Sequence, residues 1–223
     1  MQRFPNSPLL QKRIYNPITK RYIQNTSTNR KSIIRQIEKA KRNKLVLIAC
    51  SKTKSFKNEG ERIEAGDAYC SPLFQKSKQW AELRGYPYAI ISAKYGLIFP
   101  DEKIQDYDLT LNELNKKQLE NWKRNVAKQI EEYDKRAWPQ DGEILESWED
   151  EPMIIALAGK SYTDNLQAAL PYIIDIEEPL KGLQVGERLS KLNEMNKDWK
   201  DSGFGFDEES RKQWTFDMRK RRI

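Results

Sequence analysis

The densest run of chemically capable side chains lies between Ile90 and Leu111. Lys94 and Tyr95 stand just before Gly96, and Asp101, Glu102, Lys103, Asp106, Tyr107 and Asp108 follow. Carboxylates, ammonium groups and phenols packed this closely could move protons, grip phosphates and stack on a base. The chain contains no histidine. A Ser-His-Asp or Cys-His relay is therefore excluded, as are the usual His-containing metal sites. Any acid–base step falls to Asp, Glu, Lys, Tyr or water. Cys50 and Cys70 are the two cysteines, too few for a disulfide framework and wrongly spaced for zinc. No metal and no cofactor are expected.

Two shorter clusters have the same character. Cys50-Ser51-Lys52-Thr53-Lys54 follows an apolar run from Lys44, and its N–H groups and lysines could cradle a phosphate. The glycines of a Walker loop are missing. Cys50 itself reads as a small buried residue, since nothing nearby in sequence would activate it. Gly159-Lys160-Ser161-Tyr162 follows a second apolar run, Met153 to Ala158. Tyr69 could stack on a base or pack against a sheet.

These clusters need elements to position them. Lys44–Cys50, Ala89–Ser92, Met153–Ala158 and Tyr172–Ile176 have the composition of strands. Ser71-Pro72 reads as the N-cap and first position of a helix ending at Gly85. Thr110-x-x-Glu113 has capping-box spacing, predicting a long helix from Leu111 to about Lys135 with Leu114, Trp122, Val126, Ile130 and Tyr133 on one face. Further helices are expected from about Thr163 to Pro171 and around Glu187 to Asn196, with loops at Lys57–Asp67 and Pro139–Glu151. Alternating strands and helices predict an α/β fold, a mostly parallel sheet of about four or more strands flanked by helices. All three polar strand ends would then share one edge, placing Ser51, Lys52, Ser92, Lys94, Lys160 and Tyr162 in one cleft.

Charge is unevenly distributed. Residues 1–43 carry eleven Lys and Arg against Glu38 alone, a local +10 that leaves −3 for the rest of a chain whose net charge is +7. Such an arm is suited to a polyanion, and DNA is the expected partner. Arg13, Lys20, Arg21, Arg30, Lys31 and Arg35 are the candidate contacts to its backbone. The arm lacks the apolar face a membrane surface would require, no run approaches the ~18 apolar residues of a span, and a cytoplasmic location is expected. The expected organisation is a basic arm over 1–43 with a short helix from Asn29 to Arg42, a core domain over 44–198, and an aromatic and basic tail over 199–223.

Several motifs also resemble known proteins. Val46–Lys54, Tyr69-Cys70-Ser71-Pro72-Leu73-Phe74, Ile91–Ile98 with Pro100-Asp101, Tyr107–Leu111, Ala158–Tyr162 and Pro179–Gly186 together resemble a little-characterised group of bacterial and phage proteins. That group is in turn similar to the YaaA peroxide-stress proteins, whose Ser-x-x-Tyr-Gly-x-Leu-x-Pro…Pro-Tyr pattern matches Ser92, Tyr95, Gly96, Pro100 and Tyr107. The chain departs from the pattern with Asp106 in place of proline and Asp108 in place of arginine. The resemblance implies an α/β fold with a basic cleft, DNA binding, and a link to glycosylases acting on modified phage DNA. Separately, Asn16–Ile23 resembles the opening of small adaptor modules of large DNA viruses, without their cysteines. The leading expectation is a DNA glycosylase for a modified base, with Asp101 ranked first and Asp108 second as the catalytic carboxylate. Lys52, Lys54 and Lys94 would hold phosphates, and Tyr69, Tyr95 or Tyr107 would stack. A DNA-binding protein without catalysis and an enzyme of nucleotides or nucleotide sugars are the alternatives.

Overall fold

The computed structural model describes residues 13–16, 21–24, 28, 29, 32, 44–137, 153–170 and 174–201. Its centre is a five-stranded sheet in the order β6-β5-β3-β8-β9, formed by β3 (Lys44–Ala49), β5 (Tyr88–Ser92), β6 (Gly96–Ile98), β8 (Met153–Leu157) and β9 (Asp175–Glu177). β5, β3, β8 and β9 run parallel, and β6 is antiparallel at the edge beside β5. The mostly parallel α/β sheet expected from the sequence is therefore present. Two small antiparallel pairs accompany it, β1 (Arg13–Asn16) with β2 (Arg21–Gln24), and β4 (Ile63–Glu64) with β7 (Lys103–Ile104).

The helices form a layer on each face. α2 (Pro72–Arg84) and α5 (Val185–Asp201) cover the face to which β3 sends Val46 and Ile48. α3 (Lys116–Ala137) and α4 (Lys160–Ala169) cover the face of Leu45 and Leu47. Burial on both faces is why β3 reads as an unbroken apolar run rather than an alternation. β3 connects through α2 to β5 on one side, whereas β8 connects through α4 to β9 on the other. The strand order thus reverses between β3 and β8, where an open α/β sheet parts into a crevice at its carboxyl edge.

Several boundaries differ from the sequence reading. The Thr110–Glu113 capping box forms, but it opens only a single 3₁₀ turn, Leu111–Glu113. α3 starts at Lys116 under a second reciprocal pair, in which Asn115 accepts from the N–H of Gln118 at 3.0 Å and Gln118 accepts from that of Asn115 at 2.9 Å. Leu114 lies between the two in extended backbone and is not on the helix. The expected loop Lys57–Asp67 contains β4 and the start of the short helix α1 (Ala65–Ala68). α4 begins at Lys160 rather than Thr163, so the supposed turn Gly159–Tyr162 is an N-cap and a first helical turn. Of the expected helix at Asn29–Arg42, Asn29 and Ser32 are described and are helical, and the rest lies outside the described residues, as does the expected loop at Pro139–Glu151. No helix among the described residues is long and apolar enough to cross a membrane.

β6 is held from the side by a helix. Gln129 of α3 accepts from the Leu97 N–H at 2.8 Å and donates to the Leu97 carbonyl at 3.0 Å. The carboxamide fits because Gly96 has no side chain; a Cβ there would meet the Gln129 oxygen at 2.4 Å, and its φ of +73° also favours glycine.

α5 extends past the domain boundary expected at 198, and its Trp199 completes a sandwich about Arg84. The guanidinium lies 4.2 Å from the Trp80 ring centre and 4.7 Å from that of Trp199, and it donates to the Trp80 and Met195 carbonyls. Burial lowers its pKa to about 10, against smaller opposing effects of Tyr86 and Asp198. A double-mutant cycle of Arg84→Ala and Trp199→Ala in urea unfolding should return a coupling of about 1–2 kcal/mol for this contact; additive losses would show that Trp199 does not hold α5 to α2 through Arg84.

Candidate functional site

Ser92 ends β5 at the carboxyl edge and is fully buried. Its Oγ accepts from the N–H groups of Lys94 at 3.2 Å and Tyr95 at 3.4 Å, which shapes the turn into β6. With both lone pairs engaged, the hydroxyl is left to donate to Tyr107, 2.7 Å away, and Tyr107 to donate to Tyr69 at 2.8 Å. The Ser92 carbonyl accepts from Trp122 Nε1 at 2.8 Å, which ties the same strand end to α3. A second hydroxyl contact lies across β3, between Tyr162 and Cys50 Sγ at 3.3 Å.

Burial raises the pKa of Tyr107, Tyr69 and Tyr162 above that of an ordinary phenol, and proximity to the Cys50 sulfur adds to it. At neutral pH these phenols are hydrogen-bond donors and not bases.

Lys54 fixes the returning segment. Its Nζ donates to the Tyr107 carbonyl at 2.5 Å and to the Lys52 carbonyl at 3.4 Å, lies 3.5 Å from an Asp106 oxygen, and sits 4.3 Å over the Tyr107 ring. The side chain is only 6% exposed, so the ammonium is committed to these partners and is unavailable for the expected phosphate role. Tyr69 is likewise corrected: at 0% exposure its ring packs in the core beside Phe74 and offers no face to a base.

The rim retains the remaining candidates. Lys52 is exposed and pairs with Asp108 at 3.1 Å. A pair this exposed is worth well under about 1 kcal/mol and separates readily. Lys94 is exposed and lies over the rings of Tyr95 and Tyr107, themselves half-buried and packed edge to face. Lys160 points outward to Asp164 in its own helix. Ser51 accepts no ligand-like role within the protein; its hydroxyl donates to the Thr53 carbonyl and stiffens the turn.

Asp101 stands apart. β6 runs antiparallel to β5, so Pro100 and Asp101 fall towards the amino edge, where the Pro100 carbonyl accepts from Gly66. Only after β7 does the chain return, bringing Asp106 and Asp108, but not Asp101, to the tyrosines. Of the candidate DNA contacts, Arg13 and Arg21 fall on β1 and β2; Lys20, Arg30, Lys31 and Arg35 lie outside the described residues.

Sequence reasoning missed the other half of this edge. A pocket of about 70 Å³ opens where β3 and β8 part, reached by Arg188 from the first turn of α5. An arginine there opposes the helix dipole, and that misplacement was its one signal in the sequence.

A family model matches residues 45–194, which is the stretch from β3 into α5 that builds both halves of the edge. The chain belongs to the family of unknown function DUF6884. The DUF6884 match leaves out the basic arm and the tail. The chain is also 26% identical over 154 residues to "Uncharacterized protein YfjM" of Bacillus subtilis (strain 168), an alignment spanning 67% of this chain and 93% of that protein.

The tyrosine cluster makes a pH prediction. Unfolded phenols ionise near their ordinary value of 10.0, whereas Tyr69, Tyr107 and Tyr162 stay protonated above it in the fold. Their contribution to stability is therefore complete below pH 10 and is lost as pH rises beyond it. Alkaline titration followed by phenolate absorbance and circular dichroism should show part of the tyrosine ionising only together with unfolding. Full ionisation of all tyrosines while the fold persists would contradict the cluster.

Proposed function

We propose that the carboxyl edge hydrolyses the N-glycosidic bond of a modified base in DNA. The observation that carries this reading is the return of Asp106-Tyr107-Asp108 over the strand ends, which presents two exposed carboxylates, Asp108 beside Lys52 and Asp106 beside Lys54, with Lys94 over the Tyr107 ring between them. Cleavage of a glycosidic bond develops oxocarbenium-like charge on the sugar, and a carboxylate against that charge or behind the attacking water lowers the barrier. Asp108 takes this role ahead of Asp106, because its lysine partner is free to move to a phosphate while the Asp106 partner, Lys54, is locked. Lys52 and Lys94 hold the flanking phosphates, and the half-buried ring of Tyr95 receives the flipped base. The +10 charge of residues 1–43, together with what the resemblance to the YaaA proteins implies, supports DNA as substrate.

Duplexes carrying normal, methylated, hydroxymethylated or glucosylated bases, incubated with the protein and scored for alkali-labile abasic sites, test the reaction. Asp108→Asn should keep DNA binding while lowering base release by a factor on the order of a hundred or more, and Asp101→Asn should leave both intact. Full excision by the Asp106→Asn and Asp108→Asn variants alike would remove the chemistry from this edge. The ion pairing of both carboxylates favours, as a second reading, a protein that binds DNA without cutting it; absence of abasic product from every modified duplex would select that one.

Residues 1–43 should supply most of the non-sequence-specific affinity. With about six phosphates contacted, log K should fall against log salt with a slope near −5. Equal binding by a protein lacking the arm would refute this.

A further inference from the structure

We infer that the crevice between β3 and β8 is a second site, one that takes a phosphate group. It lies at the reversal of strand order, lined by Ile48 and Leu157 from the two strands and by Ser51, Ser77, Gly159 and Arg188 at its polar side. Among the described residues its lining holds no carboxylate, and Arg188 is the one ionised side chain in it.

Two helix starts and one arginine meet there. α4 starts at Gly159, whose N-cap position provides no side chain to satisfy the first helical N–H groups. α2 starts at the same opening, where Ser71 Oγ already accepts from the Phe74 N–H, so its end contributes wall and dipole more than free donors. Arg188 completes the set: its Nε donates to the Leu183 carbonyl at 2.7 Å, and its Nη1 leans over the α4 cap so closely that a Cβ on Gly159 would come within 3.3 Å of it. Among the described residues Arg188 forms no ion pair, so its outer N–H groups remain to be satisfied. An arginine in a first helical turn opposes the helix dipole, and an anion beside it reverses the sign of that interaction.

Ser77 is the independent sign of a ligand. It is 1% exposed, lines the crevice from α2, and its hydroxyl has no hydrogen-bond partner among the described residues. A hydroxyl at that depth needs an acceptor. A tetrahedral phosphate meets these demands together, accepting from the Ser77 hydroxyl, the open turn of α4 and the fork of Arg188. A carboxylate ligand would leave one of the three directions empty, and a cation would find no carboxylate in the lining.

The site stands apart from the glycosidic-bond reading and is tested without nucleic acid. The full chain is titrated with inorganic phosphate, with adenosine 5′-monophosphate and with adenosine, binding being followed by calorimetry and phosphorus NMR. Saturable binding of phosphate or of the monophosphate, and none of adenosine, is expected. Equal affinity for the two would mark a site for free phosphate, and tighter binding of the nucleotide a site for a phosphomonoester; either supports the proposal. Arg188→Gln should weaken binding roughly tenfold or more, Ser77→Ala several-fold, and Lys191→Ala, on the exposed face of α5, not at all. If Arg188→Gln fails to fold, Ser77→Ala carries the test. No saturable phosphate binding, equal binding of adenosine, or unchanged affinity in the folded variants would overturn the inference. A protein that binds phosphate yet releases no base would keep this site and lose the reaction proposed for the rim.

Discussion

One buried hydroxyl holds the carboxyl edge together. Ser92 must end its strand, turn the chain into an antiparallel neighbour, and anchor a segment that arrives fifteen residues later through Tyr107. Its carbonyl is meanwhile taken by Trp122 of α3. The turn after β5, the Tyr107 segment and α3 are thus referred to a single residue. In a low-dielectric interior such a network is stable only when its members are paired, and here donation from Ser92 to Tyr107 to Tyr69 gives each hydroxyl a partner.

The chemistry of the edge divides about β3. On the β5 side the groups are exposed, paired and able to rearrange: Lys52 with Asp108, and Lys94 over two rings. On the β8 side they are enclosed and fixed, with Arg188 tethered to Leu183 and Ser77 inside the wall. Cys50 is the hinge of this division. It lines the crevice on one side and touches the Tyr162 hydroxyl on the other, so the two halves share a residue without sharing their charged groups.

Much of this is legible in the sequence. β3 and β8 show because strands buried on both faces must be continuously apolar, and a parallel sheet brings the turns after them to one edge. What escaped depended on partners far along the chain. β6 has three residues, and its outer edge is paired at Leu97 by Gln129, thirty-two residues further along; no local pattern encodes that. The reversal at β6 in turn moves Asp101 away and brings Asp106 and Asp108 in, so one unseen hairpin reordered the candidate acids. The start of α3 was ambiguous for another reason. Thr110–Glu113 and Asn115–Gln118 both carry a capping signature and both form, and only the extended backbone at Leu114 decides which one continues as a helix. Of the crevice's polar members, Ser51 and Gly159 lie in turns the sequence marks as polar, whereas Ser77 and Arg188 come from two other elements and carry no local signal that joins them to those turns.

The Gln129 carboxamide has a consequence of its own. Its oxygen and nitrogen present to Leu97 the same acceptor and donor that a neighbouring strand's peptide would. One side chain thereby impersonates the strand that the sheet lacks, and an incoming β-segment would find the Leu97 register already occupied. On this flank the molecule's resistance to templated self-association rests on a rotamer of a single helix residue, and not on charge or proline placed along the edge itself.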